Sequence, residues 1–241
     1  MRENAVPSIS CVDLFCGAGG LTHGFILEGL PVVAGIDMDP ACRFPYEVNN
    51  RAMFVERDIS TVTPAELNQL FGDADIKILA GCAPCQPFST YAQRYSLDGD
   101  GKWGLLYEFA RLAEATSPDV ITMENVPTVA RHAVFHDFVD ALRRLGYHVW
   151  YDVVDSSKYG VPQARRRMVL LASKHGQFKI TGPTHTNPKT VRQAIGRLRP
   201  LSAGEAAPRD KLHIASTLSK KIYVASNCRN LAALGVIGPN T

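Results

Sequence analysis

Cys85 stands in Gly81-Cys82-Ala83-Pro84-Cys85-Gln86-Pro87-Phe88-Ser89, directly after the apolar run 76–80. That run reads as a buried strand, so the thiol falls in a loop at a strand's carboxyl end, where open α/β sheets carry ligands and chemistry. Three chemistries are open to it. Cys82 and Cys85 form a C-x-x-C, which suits a redox pair or half of a zinc site, although the chain offers no second ligand pair at matching spacing. The third chemistry is a nucleophilic thiolate, activated by its loop and by neighbouring cations. Glu124, in Glu124-Asn125-Val126, ends another apolar run and brings a carboxylate to the same edge, where burial should desolvate it. A basic group, Gln163-Ala164-Arg165-Arg166-Arg167, leads into a further strand. In an alternating strand entry Arg165 and Arg167 share a face, and Arg166 points away.

A second set of residues suits a ligand rather than a reaction. The first strand runs into Asp13-Leu14-Phe15-Cys16-Gly17-Ala18-Gly19-Gly20 and then a helix. Glycines there let a ligand approach the backbone, and the helix start offers free N–H groups to a negative charge. Asp37 ends the second strand twenty residues after Gly17, where an acid can accept both hydrogen bonds of a ribose diol. Asp58, followed by Ile59, ends the third strand and can bind an adenine amino group. The pattern departs from the dinucleotide fingerprint, because Thr22 replaces the third glycine. Alone, the glycine loop is equally a tight turn; with two acids in strand order it points to an adenosine-bearing cofactor. Asp98-Gly99-Asp100-Gly101 imitates a calcium loop, but Phe109 stands where the bidentate Glu belongs, so the stretch reads as a glycine-rich lid.

Positioning these groups requires alternating strands and helices. Strand patterns occupy 10–15, 31–37, 54–58, 77–80, 120–124, 148–155 and 168–172, and helix patterns 21–30, 39–49, 64–71, 103–116 and 135–145. The fold class expected is α/β, an open doubly wound, mostly parallel sheet with an antiparallel edge strand formed by 149–154 and 168–172. Residues 1–175 make this domain; 176–241 read as a basic lead-in to a further region, with one short helix over 190–198. Residues 187–241 hold 9 Lys/Arg against 2 Asp/Glu, whereas 1–186 hold 17 against 21, which suits a polyanion beside an enzyme-like body and equally a solvated basic linker. No apolar run reaches transmembrane length, no signal pattern opens the chain, and six scattered cysteines fit a reducing compartment. An intracellular, cytoplasmic location is expected, nucleoid-associated in a bacterium.

Segments 13–20, 35–40, 57–59, 81–89, 124–126 and 163–167 occur in the order of the DNA (cytosine-5) methyltransferase family, which the chain resembles over roughly residues 10–173. The resemblance implies a Rossmann-like fold, S-adenosyl-L-methionine as cofactor and double-stranded DNA as partner. It makes Cys85 the nucleophile toward cytosine carbon 6 and Glu124 the group at ring nitrogen 3. Arg165 and Arg167 would orient the base, and Asn125 would hold the loop. The cofactor would meet Asp13, Phe15, Gly17, Gly19, Gly20, Asp37, Met38, Asp58, Ile59 and Pro84, with no metal involved. Cys82 departs from the small or apolar residue usual at its position. The target-recognition domain and last motifs of the family do not appear in 174–241, which implies a second polypeptide carrying them; an inactive remnant, a non-enzymatic nucleic-acid-binding module and an RNA methyltransferase are the alternatives.

Overall fold

In the computed structural model the described residues are 6–84, 104–215 and 217; Cys85 and the 98–101 stretch lie outside them. Strand β1 (Ile9–Leu14) is buried along nearly its whole length, as a parallel strand covered on both faces must be. With β2 (Val32–Asp37), β3 (Met53–Glu56), β4 (Ile76–Gly81), β5 (Val120–Asn125), β6 (His148–Asp155) and β7 (Arg166–Ser173) it forms one sheet in the order β3-β2-β1-β4-β5-β7-β6. Strands β1 to β5 pair in parallel. The expected antiparallel pair sits at the edge, with β7 inside and β6 outermost. Because β7 runs against both β5 and β6, its first residues lie at the end where the parallel strands finish.

Side chains alternate between the sheet's two faces. Val12 and Leu14 join a core with Leu67 and Phe71 of helix α3 (Pro64–Phe71), Phe109 of α4 (Gly104–Thr116) and Phe138 of α5 (Ala133–Arg144). Cys11 packs the other way, with Val32 and with Leu21 and Phe25 of α1 (Gly20–Leu27). Tyr46 of α2 (Arg43–Asn50) meets Phe54 edge-on at 5.7 Å.

Local signals set the helix ends. Thr63 and Glu66 form a reciprocal capping box ahead of Pro64, and α4 stops at Thr116 before Ser117 and Pro118. Helix α1 ends at Leu27, short of residue 30, because Gly29 turns to φ +77. The helix expected over 39–49 opens instead as a 3-10 turn, Pro40–Cys42, capped by Asp39.

Two compact units divide between Pro188 and Lys189, beyond the change of character at 175–176. The reason is a strap. Ser173 ends β7 opposite His148, the start of β6. The chain then returns to the turn after β6, where the N–H groups of Thr184 and His185 donate to the Lys158 carbonyl and the Tyr159 hydroxyl to that of Thr181. In the second unit Thr190 caps a short helix, α6 (Val191–Ile195), through a capping box with Gln193. A hairpin of β8 (Ala206–Ala207) and β9 (Asp210–Ile214) follows; the sequence showed no period there because a two-residue strand is too short to display alternation. Among the described residues no helix is long and apolar enough to cross a membrane.

Gly35 in β2 lets α2 close on the sheet, since a Cβ there would overlap the Tyr46 ring. Gly35→Ala should therefore lower stability by about 1–3 kcal/mol. Gly24→Ala, which meets open space inside α1, should be neutral or stabilise by about 0.5–1 kcal/mol. Urea unfolding of the two variants checks the contrast.

Candidate active site

The loop after β1 is bent by backbone geometry. Phe15 takes φ +57, a left-handed conformation that costs a non-glycine residue roughly 1–3 kcal/mol. Gly17 and Gly19 continue the turn at φ +51 and +90, and the Gly19 N–H donates to the Cys16 carbonyl at 2.9 Å. The Asp37 carboxylate fastens this loop to the end of β2, accepting from the Gly17 N–H and the Asp39 N–H, each at 2.9 Å. Asp58 accepts both donors of Ser60 on Oδ1, at 2.9 and 2.7 Å, and no described residue engages Oδ2. Ile59 is buried, Met38 is half-buried against the core and Pro84 is half-buried beyond β4. Open space surrounds the Cβ positions of Gly17 and Gly20, and α1 starts without a side-chain cap. Two acids, a bare helix start and an open glycine turn fit an adenosyl cofactor with a charged tail.

Asp13 lies beneath this loop. It is fully buried, and its Oδ2 accepts from the Thr22 hydroxyl at 2.7 Å, which itself lies 3.1 Å from the Tyr46 hydroxyl. Thr22, the departure from the dinucleotide pattern, is thus the partner that Asp13 requires. Sequence reading noticed the departure but missed the pair, and Tyr46 carried no signal at all. Among the described residues Asp13 Oδ1 has no hydrogen-bond partner. Burial, with Asp37 adding to it, pushes the Asp13 carboxyl up to about 7 from 3.8. A carboxyl raised in the folded state holds its proton better folded than unfolded. Its contribution to stability is complete below the unfolded value of 3.8 and disappears as pH rises to about 7. Chemical denaturation across that window should show a loss of up to about 1.4 kcal/mol per pH unit from this group. Asp13→Asn should flatten the slope.

The other half of the site is built by β5 and β7. Asn125 is buried, and its amide donates to the Ala83 carbonyl at 3.0 Å while its Oδ1 accepts from the Val126 N–H at 2.7 Å. It ties down the stretch that leads to Cys85. In the antiparallel register Glu124 faces Val169, which brings Arg167, two residues earlier, to its carboxylate. Arg167 Nε lies 2.8 Å from Glu124 Oε1, and an Arg165 guanidinium nitrogen 3.6 Å from the same oxygen. Arg166 pairs in the opposite register with Asp155 of β6. The Glu124 side chain is 29% exposed, so the expected desolvated carboxylate is instead a half-open, ion-paired one.

Cys82 borders this group. Burial, then the charges of Asp13 and Glu124, push its thiol far up, and Glu124 hydrogen-bonds to it. It stays a thiol at neutral pH and is a poor nucleophile. Cys11, Cys16 and Cys42 are raised as well, in each case mainly by burial, and all four are free. Arginine and carboxylate at one edge can hold a planar heterocycle by hydrogen bonds, close to the segment that carries the remaining thiol of the motif.

Comparison with known proteins gives this geometry a lineage. The chain is 52% identical over 212 residues to the type II methylase M.HgiDII of Herpetosiphon aurantiacus, covering 86% of this chain and 59% of that protein. The type II methyltransferase M.AquIA of Picosynechococcus is 29% identical over 201 residues, which make up 79% of it, so that protein is close to this chain in size. A prophage-encoded DNA modification methyltransferase of E. coli superposes with a TM-score of 0.68 at 25% identity, covering 82% of this chain and 57% of its own. The chain thus spans somewhat over half the length of two of these three. Residues 9–229 match the C-5 cytosine-specific DNA methylase family, and the chain belongs to it.

Proposed function

We propose that this chain is the catalytic region of an enzyme that methylates carbon 5 of cytosine in double-stranded DNA through a covalent cysteine adduct. The convergence of Glu124, Arg165 and Arg167 at the edge where Asn125 holds the Ala83 carbonyl is the observation that carries this reading. The target base must leave the stack, because its carbon 6 is out of reach inside a duplex. The Cys85 thiolate then bonds to carbon 6, Glu124 hydrogen-bonds or protonates ring nitrogen 3, and carbon 5 becomes nucleophilic. S-adenosyl-L-methionine, when bound, supplies the methyl group. Loss of the carbon-5 proton restores the ring double bond and expels Cys85 as thiolate. Arg165 and Arg167 orient the base and favour the ionised thiol. Phe15 would stack on adenine, Asp37 would take the ribose and Asp58 the amino group. Gly17, Gly19 and Gly20 give close backbone approach, Met38, Ile59 and Pro84 line the pocket, and Asp13 supports it from below.

Reading the DNA sequence is assigned to a further segment outside the catalytic region.

Duplex DNA carrying 5-fluorocytosine, whose fluorine cannot leave carbon 5, should trap a covalent complex with the complete enzyme. Cys85→Ser should abolish the complex, because a hydroxyl is far less ionised than a thiol near neutral pH. Glu124→Gln should slow methyl transfer by about 10²–10⁴-fold. A trapped adduct in the Cys85→Ser protein, or one that maps to Cys82, overturns the assignment. Asp37→Ala should weaken S-adenosylhomocysteine by about 1–3 kcal/mol in calorimetry, and an unchanged affinity removes Asp37 from the pocket.

A further inference from the structure

The turn that carries Asp58 and Ile59 leaves β3, the outermost strand of the sheet, and no described strand lies beyond it to hold it in place. It is held from the side by α4. One terminal nitrogen of Arg111 donates to the carbonyl of Ile59 at 3.3 Å and to that of Val62 at 3.0 Å, the first residue of the turn and the residue that closes it. The Arg111 Nε donates to Glu108 one helical turn away at 2.7 Å, which fixes the guanidinium in that pose. The side chains of Ile59 and Val62 are both buried in the main core. The turn is therefore plugged inward by two apolar groups and gripped at its two carbonyls by one cation. Asp58 directly precedes the gripped residue, and with Oδ1 bound to Ser60, the direction of Oδ2 follows from where the turn sits.

We propose that Arg111 is a positioning residue that sets adenine selectivity, by holding the 58–62 turn so that Asp58 Oδ2 meets the exocyclic amino group of the base. The inference rests on the reading that an adenosyl cofactor occupies this pocket. Arginine suits the task because its planar guanidinium keeps a fixed orientation when Glu108 holds another of its nitrogens. Lysine has one flexible point of attachment and cannot be anchored to Glu108 and span the turn in the same way.

The test compares S-adenosylhomocysteine with S-inosylhomocysteine, which carries an oxygen in place of the amino group, by calorimetry on the full-length protein. The wild type should prefer the adenine ligand by about tenfold or more, the loss of one charge-assisted hydrogen bond. Arg111→Lys and Arg111→Gln should each reduce that preference to less than about threefold, and in an Asp58→Ala background they should reduce it no further. A thermal melt on each variant separates folding from selectivity, and Arg111→Lys keeps the aliphatic stem should Arg111→Gln fail to fold. If a folded Arg111 variant keeps the full preference, the residue is a staple for stability alone and the inference falls. If the wild type binds both ligands equally, the inference falls while the cofactor pocket stands. Binding of neither ligand overturns the pocket and the inference together.

Discussion

The direction of β7 is the constraint on which the catalytic arrangement depends. In an all-parallel sheet every strand begins at the edge away from the ligands, and residues that lead into a strand are lost to chemistry. Here β7 is reversed between β5 and β6, so its entry arrives at the edge where β5 finishes. Arg165 and Arg167 thereby meet Glu124 through backbone register, with no long loop to order. Neighbouring residues of β5 then serve both partners. Glu124 takes the arginines, and Asn125 takes the Ala83 carbonyl at the root of the segment that carries Cys85.

The cofactor side rests on a different device, in which burial and strain support an open loop. Phe15 holds an unfavourable backbone conformation, while Asp37 binds the Gly17 N–H within the loop and Asp13 binds Thr22 of the helix that follows it. Asp13 is in an environment that disfavours its charge, and its second oxygen goes without a partner among the described residues. Local sacrifices of this kind concentrate where a ligand must approach the backbone, because a relaxed turn would fill the space itself.

The strands, their mostly parallel sheet and most helix ends were legible because burial on both faces leaves continuous apolar runs, and because Thr63, Pro64 and Pro118 mark their own positions. The sharing of a face by Arg165 and Arg167 followed from strand alternation and matches their common oxygen on Glu124. What sequence could not show depends on long-range packing. Thr22 looked like a missing glycine until Asp13 was seen beneath it. Nothing in the sequence marks Arg111, because its carbonyl partners lie some fifty residues earlier in the chain. The openness of Glu124 was also misjudged, since a buried strand says little about the solvent at its tip.

The strap after β7 has a consequence for how such a protein can be rebuilt. By returning along β6 to the turn around Lys158, it ends the first unit at the same edge as Glu124 and the arginines. The first unit thus closes without threading the sheet or changing any strand connection. Pro188 is therefore a point at which the chain can be cut or joined while the seven-stranded sheet keeps every one of its pairings.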